Sequence, residues 1–472
     1  MTSPASRDAI DAVRDLVRDL VRIPSVNPRG APGDGGETAM AAHVRDWLGR
    51  HGVQAELQEV LPGRCNVVAV VPGRDPAVVL LESHLDTVET DGMTVPPHDG
   101  EVRAGRLYGR GACDAKGPLA AFMLAAAELA RGGPPPLTLV LAGVCDEEHA
   151  YRGVLHLLET LADRPVVGAL VGEPTGLVPA TAHKGVVRYT VRTTGRPGHS
   201  SRPEEAVNAI SLMAPVIAHL AATRPAVAPH PLLGPATRSV TRVRGGTGPN
   251  TIPGTCEVDI DRRTLPGEDP VTVWHQDRDE LTALGTEVDP PFTVDPALDT
   301  PPDTPVVTAL RDALAAHGRP CDIQGMPFGT DASKLARAGM PSVVFGPGSV
   351  TDAHAATESV DLAEVELAAR IVVATVRETG RRLLKGPPSS VAVPPGERGG
   401  GDPRVAVPPG ERGGGDSRVE VPSGERGGGD PRVEVPLRER TRGGSPVDAP
   451  SQERARGSFR AGIPPQGRRP CS

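Results

Sequence analysis

Residues 77–88 read Ala-Val-Val-Leu-Leu-Glu-Ser-His-Leu-Asp-Thr-Val, and the order within this stretch decides the fold. Val78 to Leu81 is an unbroken apolar run, too short for a helix and without polar alternation. Such a run suits a strand covered on both faces, as in the interior of a parallel sheet. Directly after it come Ser83, His84 and Asp86, residues that carry chemistry rather than packing. In open parallel sheets, ligands gather in the crevice beyond the carboxyl ends of the strands.

The same arrangement recurs. The apolar run Leu137–Val144 leads to Asp146, Glu147 and Glu148; Val166–Val171 leads to Glu173; Ser342–Phe345 leads through Gly346 to Asp352 and His354. Val67–Val71 reads as a further strand. Helical periodicity marks 8–22, 37–50, the alanine-rich 118–131 and about 361–384, so strands and helices alternate. The expectation is an α/β fold: a mainly parallel sheet with helices on both faces, formed by residues 1–181 and 296–385.

Residues 182–295 read differently. KGVVRYTVRTT (184–194) alternates like a half-exposed strand, a helix is expected over 204–221, and strand-like runs lie near 238–244 and 255–263. This predicts a smaller α+β domain inserted into the first. From 386 to 472 the character changes again. A segment rich in Pro, Gly, Arg and Glu begins at Val391 and recurs at Val405, Val419 and Val433, a spacing of 14 residues. It has too little apolar surface to offset the entropy of ordering, so a disordered tail is expected.

Composition excludes some classes. The formal net charge is −8 with no basic face to suggest nucleic acid. No run of ~18 apolar residues suggests a membrane span, and the charged first residues do not resemble a signal peptide. Cys65, Cys113, Cys145, Cys256, Cys321 and Cys471 are scattered without a C-x-x-C pair, which reads as reduced thiols in a cytoplasmic protein.

Two histidines and several carboxylates converging on one crevice are a ligand set for two hard-to-borderline divalent cations. In such a site one carboxylate bridges the ions and another stays off them to take a proton from water. The stretches SHLDTV (83–88), YGRGACDAKG (108–117), DEE (146–148), GEPT (172–175), HKG (183–185), GHSS (198–201), GPNTIPG (248–254), DRRTLPGE (261–268), GTDAS (329–333) and GPG…AHAATESV (346–360) together resemble the M20 metallopeptidases, over residues 8–384.

The resemblance implies that His84 and Glu173 bind one metal, Glu148 and His354 the other, and that Asp114 bridges them, with a cis peptide after it. It implies Glu147 as general base, Asp86 as the residue that fixes the His84 tautomer, and His199 as an oxyanion-stabilising group offered to the other subunit of a homodimer. Asn250 and Arg263 would grip the substrate carboxylate or carbonyl, and Gly329 and Thr330 would line the substrate side. His43, His51, His149, His156, His219, His230, His275 and His317 read as structural or surface residues.

The implied cofactors are two divalent ions, Zn²⁺ first and Co²⁺ or Mn²⁺ as alternatives. The implied reaction is hydrolysis of the amide bond of an N-acyl amino acid, as in acetylornithine deacetylases of this family. Succinyl-diaminopimelate desuccinylase, dipeptidase and carboxypeptidase chemistry share the mechanism and stay open.

Overall fold

The computed structural model describes residues 4–29 and 36–384. The repeats from Val391 and the tail expected over 386–472 lie outside the described residues.

The large sheet has nine strands, and its centre is parallel. The strand Asp75–His84 is flanked by Leu137–Val144 on one side and Val166–Val171 on the other, and Ser342–Val344 follows; all of these pairs run parallel. The margins are antiparallel: Arg64–Val71 and Ala55–Leu61 on one side, Ala180–His183 and Leu298–Asp299 on the other. The result is a mixed sheet whose four central strands all point their carboxyl ends the same way.

Alternation within the Asp75–His84 strand feeds two cores at once. Val79 and Leu81 face one cluster, with the helices Pro4–Arg22, Glu37–Arg50, Gly117–Arg131, Pro305–Ala316 and Leu362–Leu384. Val78 and Leu80 face the other, under the helices Arg152–Leu161 and Ala332–Arg337. Each such side chain, fully buried, contributes about 1.5–3 kcal/mol relative to exposure. The alanines of Gly117–Arg131 let that helix lie largely buried between the sheet and Leu362–Leu384, with Glu128 and Arg131 exposed near its end.

Residues 185–295 build a separate antiparallel sheet. Thr255–Thr264 lies between Thr237–Gly245 and Gly185–Thr194, and Glu287–Val288 and Thr293–Asp295 pair with the last of these. The helices Ala209–Ala222 and Pro270–Thr282 cover one face, packing Met213, Val216, Val273 and Leu281 on Val187, Tyr189, Val258 and Ile260. The first helix begins later than the sequence pattern suggests, because Asn208 caps it and Pro203–Glu205 forms a 3₁₀ turn. The other face carries Arg188, Thr190 and Arg192 opposite Asp261, Asp259 and Glu257.

The chain passes from the large sheet to the small one within two residues, from His183 to Gly185. The His183 ring is buried there, with Nδ1 3.0 Å from the Lys184 carbonyl and Nε2 3.3 Å from the Thr330 N–H. Nδ1 therefore donates and Nε2 accepts, which satisfies the neutral ring and leaves no acceptor for a second proton. Burial lowers its pKa to about 4. The unfolded imidazole protonates near pH 6.5, so stability is complete above that pH and is lost as pH falls towards 4, by on the order of 3 kcal/mol. The unfolding midpoint of His183→Asn, followed by circular dichroism, should fall less between pH 6.5 and 4 than that of the parent. Equal slopes would remove His183 as the cause.

Candidate metal centre

The carboxyl ends of the central strands deliver their side chains to one cleft of about 470 Å³, lined by Asp114, Glu147, Glu148, Glu173 and His354 on one wall. His84 lies at its floor, buried. Asp114 comes from the turn after Gly111, where the Asp114–Ala115 peptide is cis as the sequence resemblance implies. Its two oxygens are divided: Oδ1 is 3.0 Å from His84 Nε2, and Oδ2 is 3.3 Å from His354 Nε2. Glu173 Oε1 lies 3.9 Å from His84 Nε2, and Glu148 Oε1 lies 3.0 Å from His354 Nε2.

This donor set fits divalent cations, and His84 supplies the test. Its Nδ1 is 2.9 Å from the Asp86 carbonyl, an acceptor, so Nδ1 carries the hydrogen. In the neutral ring Nε2 then presents a lone pair to another lone pair, on Asp114. Either a proton or a cation must stand between them. Protons do so only by displacing the histidines from their ordinary range. His354 is pushed up to about 10 by its hydrogen bonds to Asp114 and Glu148. Burial alone would lower His84, yet Asp114, Asp86 and Glu173 raise it well above the usual value. Burial also raises Glu147, Glu148 and Glu173, with neighbouring carboxylates adding to it in each case. Buried like charges of this density call for a cation. Atoms of His84, Asp114 and Glu148 all lie within 4.8 Å of one another, close enough to share one ion.

The turn that carries Glu147 and Glu148 is held by Asp86 together with groups the sequence reading did not single out, Asn27 and Arg64 among them. Asp86 Oδ1 accepts the Glu147 N–H at 3.1 Å and Asp86 Oδ2 the Glu148 N–H at 3.0 Å. Asn27 Nδ2 donates to Asp86 at 2.7 Å and to Asp146 at 3.1 Å. Asp146, at positive φ, is further tied to Arg64 and Arg152. Asp86 thus does more than orient His84. Its carbonyl does that, while its carboxylate stays 3.6 Å from Nδ1 and positions the Glu147–Glu148 backbone. Similarly, Glu358 Oε1 accepts the N–H groups of Cys113 and Asp114, and Arg110 holds its other oxygen. The Glu147 carboxylate makes no hydrogen bond or ion pair among the described residues.

Behind Glu147, Glu82 and Asp331 are buried carboxyls without a donor on either. Burial raises both, Asp331 to about 7 against the pull of Lys334 and His84. Both sit within the quoted motifs, but nothing in their spacing signals that they meet.

The expected substrate-side residues divide. Arg263 and Gly329 line the cleft. A Cβ on Gly329 would stand 2.0 Å from Asp295 Oδ2, so only glycine fits. Thr330 is buried, gives its backbone N–H to His183 Nε2 and does not line this cleft. His199 and Asn250 are exposed and neighbour each other at a separate two-stranded pair, Gly198–His199 with Thr251–Ile252, with Ser200 N–H donating to the Asn250 carbonyl; neither lines this cleft. His149, read as ordinary from sequence, does line it, as do Tyr151 and Arg188.

The fold and this cleft define a hydrolase that works with metal ions. Residues 80–378 match the model of peptidase family M20/M25/M40. Acetylornithine deacetylase of Proteus mirabilis is 32% identical over 377 residues, covering 75% of this chain and 92% of the relative. That of Vibrio cholerae is 30% identical over 384 residues, covering 79% and 97%. Among solved structures, human carnosine dipeptidase 1 superposes with a TM-score of 0.64 at 17% identity, covering 79% of this chain and 97% of that one. A dinuclear metal-binding peptidase of the M20 family from Bacillus subtilis does so at 0.60 and 18%, covering 79% and 98%. The chain belongs to the M20 peptidase family, a family of metal-dependent hydrolases. No helix among the described residues is long and apolar enough to cross a membrane.

Replacing Asp86 with alanine removes the acceptor of two backbone N–H groups and none of the candidate ligands. Divalent-ion affinity, read by competition with a chromogenic chelator, should fall ~10–100-fold. An unchanged affinity would show that the turn holds itself.

Proposed function

We propose that this chain hydrolyses the amide bond of an N-acyl amino acid with two divalent cations, one held by His84 and Glu173, the other by Glu148 and His354, and Asp114 bridging. The observation that carries the reading is the division of the two Asp114 oxygens between two histidines, with an unpartnered Glu147 beside them. The nitrogen and oxygen donors suit Zn²⁺ first and accept Co²⁺ or Mn²⁺. Bound there, the cations supply a water of lowered pKa and a polarised substrate carbonyl.

The chain's own groups do the rest. Glu147 takes the proton from the attacking water on its carboxylate and passes it to the leaving amine. Its raised proton affinity, caused by burial, suits a group that must hold that proton between the two steps. Arg263 faces the substrate's carboxylate from the opposite wall. His199 and Asn250, exposed and outside the cleft, would complete the oxyanion site of a second copy, in a homodimer formed through residues 182–295. Residues 1–181 and 296–385 would then be the catalytic domain and 182–295 the lid, in a cytoplasmic enzyme. Relatives named as deacetylases support the deacylase branch over the peptidases, whose likeness is one of fold.

The protein would be stripped with chelator, reloaded with Zn²⁺ or Co²⁺, and assayed for amine release from N-acetyl, N-succinyl and N-formyl amino acids and from dipeptides. Glu147→Gln should lower kcat by ~10²–10⁴ while two ions per chain remain bound. Turnover confined to dipeptides would move the enzyme to the peptidase branch. Full activity of Glu147→Gln would sink the assignment of the base.

A further inference from the structure

The wall of the cleft opposite the carboxylates is basic, and its charges do not balance. On the open face of the small sheet, Arg192, Arg242 and Arg244 are matched by Glu257, Asp259, Glu287 and Asp289. At the end of that face that enters the cleft, two arginines share a single acid. Arg188 Nε is 2.7 Å from Asp261 Oδ2, and Arg263 grips the same carboxylate with Nε at 2.7 Å from Oδ1 and Nη2 at 3.2 Å from Oδ2, which leaves its Nη1 for a ligand. Arg188 spends only Nε on this contact; both of its terminal nitrogens are uncommitted among the described residues, and its side chain is 38% exposed. The register is rigid: Arg188 lies directly across from Asp261 and also across from Thr293, another lining residue.

We propose that Arg188 is a specificity residue that selects N-acyl amino acids carrying a second carboxylate on the side chain, of the aspartate or glutamate type. This rests on the deacylase reading above. If Arg263 takes the α-carboxylate, Arg188 offers a planar pair of N–H donors for another carboxylate. Because both guanidiniums grip one Asp261, the two carboxylates they accept must also be close together. The α- and side-chain carboxylates of one amino acid meet that condition, whereas a carboxylate on the acyl group is separated from the α-carboxylate by the scissile amide. A cationic side chain such as that of ornithine would meet Arg188 with like charge and no hydrogen-bond acceptor.

The test uses the metal-loaded full chain. Wild type and Arg188→Gln are compared on N-acetyl-glutamate, N-acetyl-glutamine, N-acetyl-ornithine and N-succinyl-norvaline, with circular dichroism confirming the fold. Wild type should prefer N-acetyl-glutamate over N-acetyl-glutamine in kcat/KM, and Arg188→Gln should shrink that ratio ~10–100-fold, mainly through KM. An unchanged ratio, a wild-type preference for the ornithine substrate, or an equal preference for N-succinyl-norvaline each overturns the proposal. Binding of N-acetyl-glutamate to the metal-loaded Glu147→Gln protein, measured by calorimetry with and without Arg188→Gln, gives a readout independent of turnover. Arg188-dependent binding without hydrolysis of any N-acyl substrate would overturn the deacylase reading and leave the dicarboxylate site standing; binding independent of Arg188 overturns the site itself.

Discussion

Four parallel strands ending at one level place more buried carboxyl groups side by side than a protein interior tolerates without a cation. Everything around the cleft follows from that constraint. His84, whose Nδ1 hydrogen is already given to the Asp86 carbonyl, cannot turn Nε2 to Asp114 Oδ1 unless positive charge stands between them, whether a second proton on the ring or a metal ion. The surrounding structure is organised to keep the donors in place while that charge comes and goes. Asp86 fixes the Glu147–Glu148 backbone, Glu358 fixes the Cys113–Asp114 backbone, and Arg64, Arg110 and Arg152 neutralise the acids that do this fixing or anchor the turn. Negative charge on Asp146 and Glu358 is thus matched by arginine, while the carboxyl groups at the centre are left without one.

Much of this was legible in the sequence because local order and global placement agree. Val78–Leu81 reads as a doubly buried strand from its lack of alternation, and His84 follows at its carboxyl end, so strand and site are announced together. The same holds for Leu137–Val144 with Glu147 and Glu148, and for Val166–Val171 with Glu173. The antiparallel margins were not legible. Ala180–His183 and Leu298–Asp299 are too short to show a period, and direction is set by the partner strand.

The groups that support the site were missed for a physical reason. Asn27 and Glu358 act through contacts across long sequence separations, Asn27 with Asp86 and Glu358 with Asp114. A lone asparagine after a helix, or an acid in a loop, carries no periodicity that points to its partner. Within the GTDAS motif, Gly329 lines the cleft while Thr330, one residue on, is buried and gives its backbone N–H to His183. Arg188 was readable as a polar-face residue of an alternating strand. What that face overlooks depends on how the chain leaves the large sheet at His183.

That exit gives the cleft its polarity. The large sheet can supply only acids and imidazoles to the floor, because the carboxyl ends of its strands are where the cation donors must stand. A basic group on the same floor would compete with the ions for those donors. Recognition of an anionic substrate therefore has to come from another element, and the antiparallel sheet provides it by turning its arginine-bearing face towards the carboxylates. Asp261 keeps the two nearest arginines from repelling each other without neutralising both. An anionic substrate laid across the cleft would then have its amide at the acidic floor and its charge at the basic wall. The separation of these two walls onto different sheets is what allows one wall to vary with substrate while the other stays fixed by the chemistry.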